Sequence, residues 1–272
     1  MPVRICAAQV GSVWESPRAT LDKIEPYIRK AAESGASLVC FPEQFTTGWD
    51  PCSRMNLQGP DGETVNTLRR FARKNDIAIL GSFRERYEPL PRNTALVIDR
   101  QGSVIGAYAK CHLFTPGNEE RNYLPGEDTA LFSLGDVCLG IAICYDLRFS
   151  PLFRVYARQG ADGVIIPSAW PASRARAWEL LIRARALEER LYIVGVNTTG
   201  LTPVDTYCGD SIIAGPDGEV IARAGAEEEM ICATLDPAVI RLARDSPPPV
   251  EADRREGLYH ALLRGAGGAG RP

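Results

Sequence analysis

Three side chains of complementary chemistry stand where apolar runs end. Glu43 follows residues 37–41 (SLVCF) and Pro42, Lys110 follows residues 104–109, and Cys144 follows residues 137–143. A thiol attacks a carbonyl carbon only as thiolate, so it needs a base or a cation beside it. Glu43 can take the thiol proton. Lys110 can lower the thiol pKa and then stabilise the oxyanion of a tetrahedral intermediate. From Cys144 the chain passes to a helix near Ser150, and such a sharp strand-to-helix turn exposes a nucleophile and aims backbone N–H groups at the reacting oxygen. The N–H of Tyr145 is the expected oxyanion donor.

Each residue alone has a plainer reading. A cysteine at a strand end is commonly core filler, and a glutamate or lysine there commonly faces solvent. Their coincidence at three strand ends, where α/β sheets form their ligand sites, favours a site. So does the long polar loop over residues 110–129, since loops of that length in compact domains are usually functional. The chain has only 2 histidines, His112 and His260. That scarcity argues against a histidine-based metal centre and against Ser-His-Asp or Cys-His catalysis.

The elements that must position these groups follow from periodicity. Residues 3–10 read as a strand, 17–34 as a helix stopped by Gly35, 37–41 as a buried strand, 64–75 as a helix and 77–83 as a strand. This β-α-β-α-β order means mostly parallel strands with helices packed outside. Residues 94–98 and 104–109 then flank a Gly-containing turn, as do 131–134 and 137–143. A helix runs from Ser150 to near Gly160, followed by a strand at 164–166. Ala177, Leu180, Leu181, Ala184, Leu187 and Leu191 recur on one helical face. Strands at 192–196, 211–214, 219–222 and 229–235 complete the series. No linker or internal repeat divides the 272 residues. The expected fold is α/β, a four-layer α-β-β-α sandwich of two mixed sheets. It forms a single domain over residues 1–260 with a flexible tail at 261–272.

Composition narrows the setting. Hydrophobic residues make up 45% and charged residues 24%, as in an ordinary globular protein. The net charge of -3 offers no basic face for nucleic acid or an anionic membrane. The Arg-rich stretch 174–190 is interleaved with Glu179, Glu188 and Glu189, which makes it a solvated helix face. None of the 8 cysteines forms a C-x-x-C pair. Cys6, Cys40, Cys138 and Cys144 lie in apolar runs, where a reduced thiol is a small core residue. With neither a signal-peptide pattern nor a membrane-length apolar run, the expected compartment is a reducing cytoplasm.

These residues resemble the nitrilase superfamily of carbon–nitrogen hydrolases along nearly the whole chain. Phe41-Pro42-Glu43 is similar to its glutamate motif, Lys110-Cys111-His112-Leu113-Phe114 to its lysine motif, and Cys144-Tyr145-Asp146-Leu147-Arg148-Phe149 to its nucleophile motif. The resemblance implies the same sandwich, a Glu43-Lys110-Cys144 triad, and no metal or organic cofactor. It also implies a homodimer or larger assembly built through the helices that follow the nucleophile. A second glutamate in the loop after the lysine is implied as well. The spacing to Pro125-Gly126 favours Glu119, whereas Arg121 would favour Glu120; Glu119 is the expected residue, positioning Lys110. Ser150 before Pro151 and Cys111 after the lysine depart from the usual pattern.

Pro167-Ser168-Ala169-Trp170-Pro171, Trp178, residues 183–186 and Asn197 resemble the amidase branch that includes ω-amidases, which hydrolyse monoamides of dicarboxylates. Trp170 either walls the pocket or packs beneath a helix. Arg148 and Arg174 are the expected anchors for a substrate carboxylate. The expected partner is thus a small amide, with a thioester acyl-enzyme and release of ammonia. Nitrile-cleaving relatives typically carry Cys-Trp-Glu, unlike this chain. An N-carbamoyl amidohydrolase with the same triad is the nearer alternative, and a non-catalytic binding protein retaining the fold is the alternative from another class.

Overall fold

The computed structural model describes residues 1–246 and 253–266. One six-stranded sheet holds β1 (Val3–Gln9), β2 (Leu38–Cys40), β3 (Ala78–Glu85), β4 (Arg92–Ile98), β5 (Val104–Ala109) and β14 (Glu229–Leu235) in the order β14-β1-β2-β3-β4-β5. The other holds β6 (Leu131–Leu134), β7 (Val137–Ile141), β8 (Gly163–Ser168), β9 (Tyr192–Asn197), β12 (Ile212–Ala214) and β13 (Val220–Arg223) in the order β13-β12-β9-β8-β7-β6. Each has a parallel centre, β1-β2-β3 in one and β7-β8-β9 in the other, with antiparallel strands outside it.

Strand alternation decides the layers. In β1, Ile5 and Ala7 point into the core between the sheets, while Cys6 and Ala8 point to the outer side. There helices α1 (Pro17–Glu33) and α2 (Glu63–Asn75) cover the first sheet through Ile24, Ile28, Leu68 and Phe71. Helices α3 (Ser150–Arg158) and α4 (Ala175–Glu189) cover the second through Phe153, Tyr156, Trp178 and Ile182. The result is the four-layer α-β-β-α sandwich. Its parallel centres need crossover helices, and those cover both outer faces.

Four features differ from the sequence reading. The buried face of α4 is Trp178, Ile182, Arg185, Ala186 and Glu189, while Leu180 and Leu187 are exposed. Leucine recurrence misled because Arg185 and Glu189 are drawn inward by partners: Arg185 donates to Leu147 O and Arg148 O, and Glu189 pairs with Arg154 and Arg254. A short hairpin, β10 (Thr199–Leu201) and β11 (Thr206–Cys208), lies between the strands read at 192–196 and 211–214, where the sequence reading placed no element. Helix α5 (Pro237–Asp245) follows the last strand, where the sequence reading placed no element, and α6 (Glu256–Ala266) runs into the segment read as tail. The tail expected from 261 thus begins inside α6, and 267–272 lie outside the described residues. Lastly, Cys6 and Cys232 face each other across the β1/β14 pair and form a disulfide, where reduced thiols were expected. Register, which apolar pattern alone does not reveal, brings them together.

Backbone and side chain meet tightly where α4 crosses β9. A Cβ built on Gly195 would lie 2.5 Å from Ile182 and 2.7 Å from Trp178. Gly195→Ala should therefore destabilise the fold by about 1–3 kcal/mol through overpacking, read as a lower midpoint in denaturant unfolding with an unchanged slope.

Candidate active site

Glu43, Lys110 and Cys144 come from three separate strand ends and meet in one buried cluster. Glu43 stands just past β2, where its N–H reaches Ser168 O at the end of β8 (3.4 Å) and its Oε2 accepts the Ala169 N–H (3.1 Å). The tips of the two sheets are thereby tied together at this carboxylate. The next residue, Gln44, has φ +46°, so the chain turns away sharply. Arg84 holds the following loop: it donates to Gln44 Oε1 (2.9 Å) and Gly48 O (2.9 Å) and pairs with Glu15 (2.7 Å).

Lys110 follows β5, with its N–H on Asn93 O of β4 (2.9 Å). Its ammonium lies between two carboxylates, 2.8 Å from Glu43 Oε1 and 2.8 Å from Glu119 Oε2. Glu119 also accepts the Phe114 N–H (2.7 Å), which closes the loop after the lysine over it. Asn93 Nδ2 donates to Glu43 Oε1 (2.7 Å) and reaches Glu119 Oε1 at 3.4 Å. Burial lowers a lysine's pKa, but here Glu119 and Glu43 more than offset it, and the ammonium is held above its ordinary range.

Cys144 has φ +45°, a left-handed conformation that side chains adopt at a cost. The turn of residues 144–148 is held by Asp146. Its carboxylate accepts the N–H of Ile143 (2.9 Å), the N–H of His112 (2.8 Å) and the hydroxyl of Tyr108 (2.8 Å), and lies 2.7 Å from His112 Nδ1. Asp146 thus locks the nucleophile turn to the lysine strand. The thiol and the Glu43 carboxylate act on each other electrostatically. Burial, then the charge of Glu43, pushes the thiol well above its ordinary pKa against the pull of Lys110. Burial also raises Glu43, with Lys110 opposing. The resting cluster therefore holds a neutral thiol beside a carboxylate ready to take its proton.

Above Cys144 lies a small cavity, about 30 Å³ open to water-sized groups within a cleft of about 410 Å³ that includes its mouth. Tyr145, Arg148, Trp170 and Arg174 all line it, along with Lys110. Trp170 is 3% exposed, packs against Trp178 and presents a wall of the cavity. Asn197 fixes it by accepting its N–H (2.7 Å) and donating to its carbonyl (3.1 Å). The guanidinium of Arg148 lies 4.8 Å from the Trp170 ring centre, and that of Arg174 lies 4.9 Å from Phe114. Trp49, Phe114, Asp205 and Tyr207 complete the walls. Asn93, Asp146, Trp49 and Tyr207 carried no role in the sequence reading. A polar residue opening an apolar strand was a signal for Asn93, whereas nothing in pattern or spacing marked Trp49 or Tyr207. Among the described residues no group of three or more His, Cys, Asp or Glu is placed to hold a metal ion.

The two glutamates of the lysine loop part company. Glu119 is fully buried on Lys110, while Glu120 is exposed beside Arg121. Glu119→Ala strips a buried ammonium of one partner and should cost about 3–5 kcal/mol of stability. Glu120→Ala should stay within about 0.5 kcal/mol. Denaturant unfolding of the two variants side by side checks the register.

Known proteins share this arrangement. The carbon-nitrogen hydrolase family model matches residues 4–245. The chain is 32% identical over 257 residues to a 2-oxoglutaramate amidase of Bacillus subtilis, covering 94% of this chain and 98% of that one. It is also 32% identical to an omega-amidase of Xenopus laevis over 88% of this chain and 90% of the other. Its structure matches a CN-hydrolase superfamily protein of Xanthomonas campestris that carries an arsenic adduct in its active site, with TM-score 0.86, 28% identity, and 94% and 98% coverage. It matches an amidase of Nesterenkonia sp. with TM-score 0.83, 28% identity and 96% coverage of both chains; in one mutant of that amidase acrylamide has added to the active-site cysteine. A cysteine-centred site, the four-layer sandwich and the family match agree: the chain belongs to the carbon-nitrogen hydrolase family, amidase branch, as a thiol hydrolase of C–N bonds other than peptide bonds.

Proposed function

We propose that this hydrolase cleaves the terminal amide of a small aliphatic monoamide that also carries a carboxylate, releasing ammonia. The observation that carries this reading is the pair Arg148 and Arg174. Both line a small cavity with Cys144 in its wall, and both residues are exposed at its mouth. Guanidinium forks suit a carboxylate, and stacking on Trp170 and Phe114 holds them ready. Relatives named for 2-oxoglutaramate and omega-amides support the same class.

In this reading Cys144 is the nucleophile. As its sulfur bonds to the amide carbon, the thiol proton passes to Glu43. The oxyanion is met by the Lys110 ammonium and the Tyr145 N–H. Glu43 returns the proton to the amine as the C–N bond breaks, leaving ammonia and a thioester. Glu43 then takes a proton from water as its oxygen attacks the thioester. The C–S bond breaks, the sulfur is reprotonated, and a carboxylic acid leaves. Glu119 holds Lys110 in place throughout, and Trp170 walls the acyl chain. Residues 1–260 serve this site as one domain. A cytoplasmic homodimer is the assembly we infer, with exposed Leu180 and Leu187 on α4 supporting a buried partner face.

Ammonia release from dicarboxylate monoamides, simple amides, N-carbamoyl amino acids and a nitrile tests the substrate class. Turnover of the carboxylate-bearing amides, lost in Cys144→Ala while circular dichroism is unchanged, is expected; turnover of carbamoyl compounds alone would overturn it. Replacing Arg148 or Arg174 by Ala should raise KM for the carboxylate-bearing amide about tenfold or more. Glu43 must be ionised to act, and its pKa is raised, so kcat/KM should fall with acid through a pKa above the ordinary carboxylate value of about 4.3. An acid limb at or below that value would contradict the assignment of Glu43 as base.

A further inference from the structure

The protein treats the two oxygens of the Glu43 carboxylate differently. Oε1 accepts two hydrogen bonds, from Lys110 Nζ (2.8 Å) and from Asn93 Nδ2 (2.7 Å). Oε2 accepts one, from the Ala169 N–H (3.1 Å). Each carboxylate oxygen offers about two lone pairs. Those of Oε1 are filled, and Oε2 keeps one open. The Lys110 contact serves the oxyanion step as well, whereas the Asn93 contact has no part in the mechanism so far.

Asn93 makes that contact from a rigid place. It is fully buried in β4, between β3 and β5. It stands opposite Arg84 in the β3 ladder, and its carbonyl accepts the Lys110 N–H (2.9 Å). One residue therefore fixes the lysine through its backbone and reaches the glutamate through its side chain, and a strand holds such a group more precisely than a loop does. The amide must turn its NH2 toward a carboxylate, which has no proton to give. Its oxygen is buried without a hydrogen-bond partner in the protein, so its NH2 carries all the hydrogen bonding of this side chain. Nδ2 lies 2.7 Å from Glu43 Oε1 but 3.4 Å from Glu119 Oε1, and only the first is a well-formed bond.

The titratable groups around Glu43 are Lys110 at the end of β5, Glu119 in the loop after it, the Cys144 thiol beyond β7 and the Tyr207 phenol on β11. Burial opposes ionisation of Glu43, Lys110 supports it and Glu119 opposes it. A hydrogen bond donated to the charged form acts on the side of Lys110. When Oε2 takes a proton, Oε1 still accepts from Asn93 and Lys110, so the carboxyl plane stays in place through the transfer.

We propose that Asn93 is a positioning residue for the general base: its amide occupies Oε1, fixes the plane of the Glu43 carboxylate, and so makes Oε2 the oxygen that takes the proton of Cys144. This rests on Glu43 acting as base in the amide hydrolysis proposed above. The test is the pH profile of kcat/KM for ammonia release from 2-oxoglutaramate in the parent, Asn93→Leu and Asn93→Ala, with denaturant unfolding of each alongside. Leu keeps the shape of Asn without a donor, and Ala removes the donor with no bulk to misfit. The acid limb should move up by about one pH unit in both variants, because the charged form of Glu43 loses a hydrogen bond. At the plateau kcat should fall about tenfold or more with KM little changed. A limb at the parent's position in a folded variant overturns the proposal whatever the loss of rate, because a purely structural role leaves the limb in place. Failure of both variants to fold also overturns it, since Asn93 is then a residue of the fold. A raised parent limb that the variants leave unmoved sinks this proposal alone. A parent that releases no ammonia, or whose limb lies at or below about 4.3, removes the reading beneath it as well.

Discussion

A buried ammonium between two buried carboxylates is the constraint on which the rest of this structure depends. Lys110 is 1% exposed, Glu43 1% and Glu119 0%. Desolvating such charges costs several kcal/mol per ion, recovered only if geometry is good and the remaining hydrogen-bond sites are filled. The fold meets that demand from four directions. Asn93 bridges both carboxylates, Phe114 N–H caps Glu119, Ala169 N–H caps Glu43, and the two sheets must stack in one register for all of them to meet. The four-layer sandwich is therefore a means of assembling a charged cluster out of water.

The cluster also explains why the thiol is neutral at rest. Glu43, Glu119 and Lys110 together carry one net negative charge when ionised, and a thiolate in the same dry space would add a second. In the mechanism we propose, proton transfer to Glu43 as the sulfur attacks avoids that state, because charge then develops on the substrate oxygen, where Lys110 and the nucleophile turn can meet it. The left-handed backbone at Cys144 is compatible with this only because Asp146 gathers donors from two motifs around the turn. Backbone strain concentrated at such a point, and held by its surroundings, is a common feature of functional sites.

Much of this was legible in the chain. Period-2 and helical patterns placed the strands that carry Glu43, Lys110 and Cys144, because those strands are long apolar runs cut off by polar residues. The family motifs then brought the three together. What stayed hidden was whatever depends on register and on partners distant in sequence. The buried face of α4 was misread because Arg185 and Glu189 are charged residues turned inward by the turn after Cys144 and by Arg154 and Arg254. The Cys6–Cys232 bond joins residues 226 apart, which only the β1/β14 pairing brings face to face. Trp49 and Tyr207 sit on a loop and a short hairpin whose positions follow from Arg84 and Asn197 rather than from any local pattern.

The neutral resting thiol is the central claim, and it can be measured directly. Absorbance at 240 nm reports thiolate, and the difference between the parent and Cys144→Ala isolates one sulfur from the other free cysteines. On this account the difference stays near zero through neutral pH and appears only above the ordinary thiol range of about 8.5. A full thiolate signal already present at pH 7 would show an ion-paired nucleophile at rest, and would contradict the proton transfer to Glu43 on which the mechanism is built.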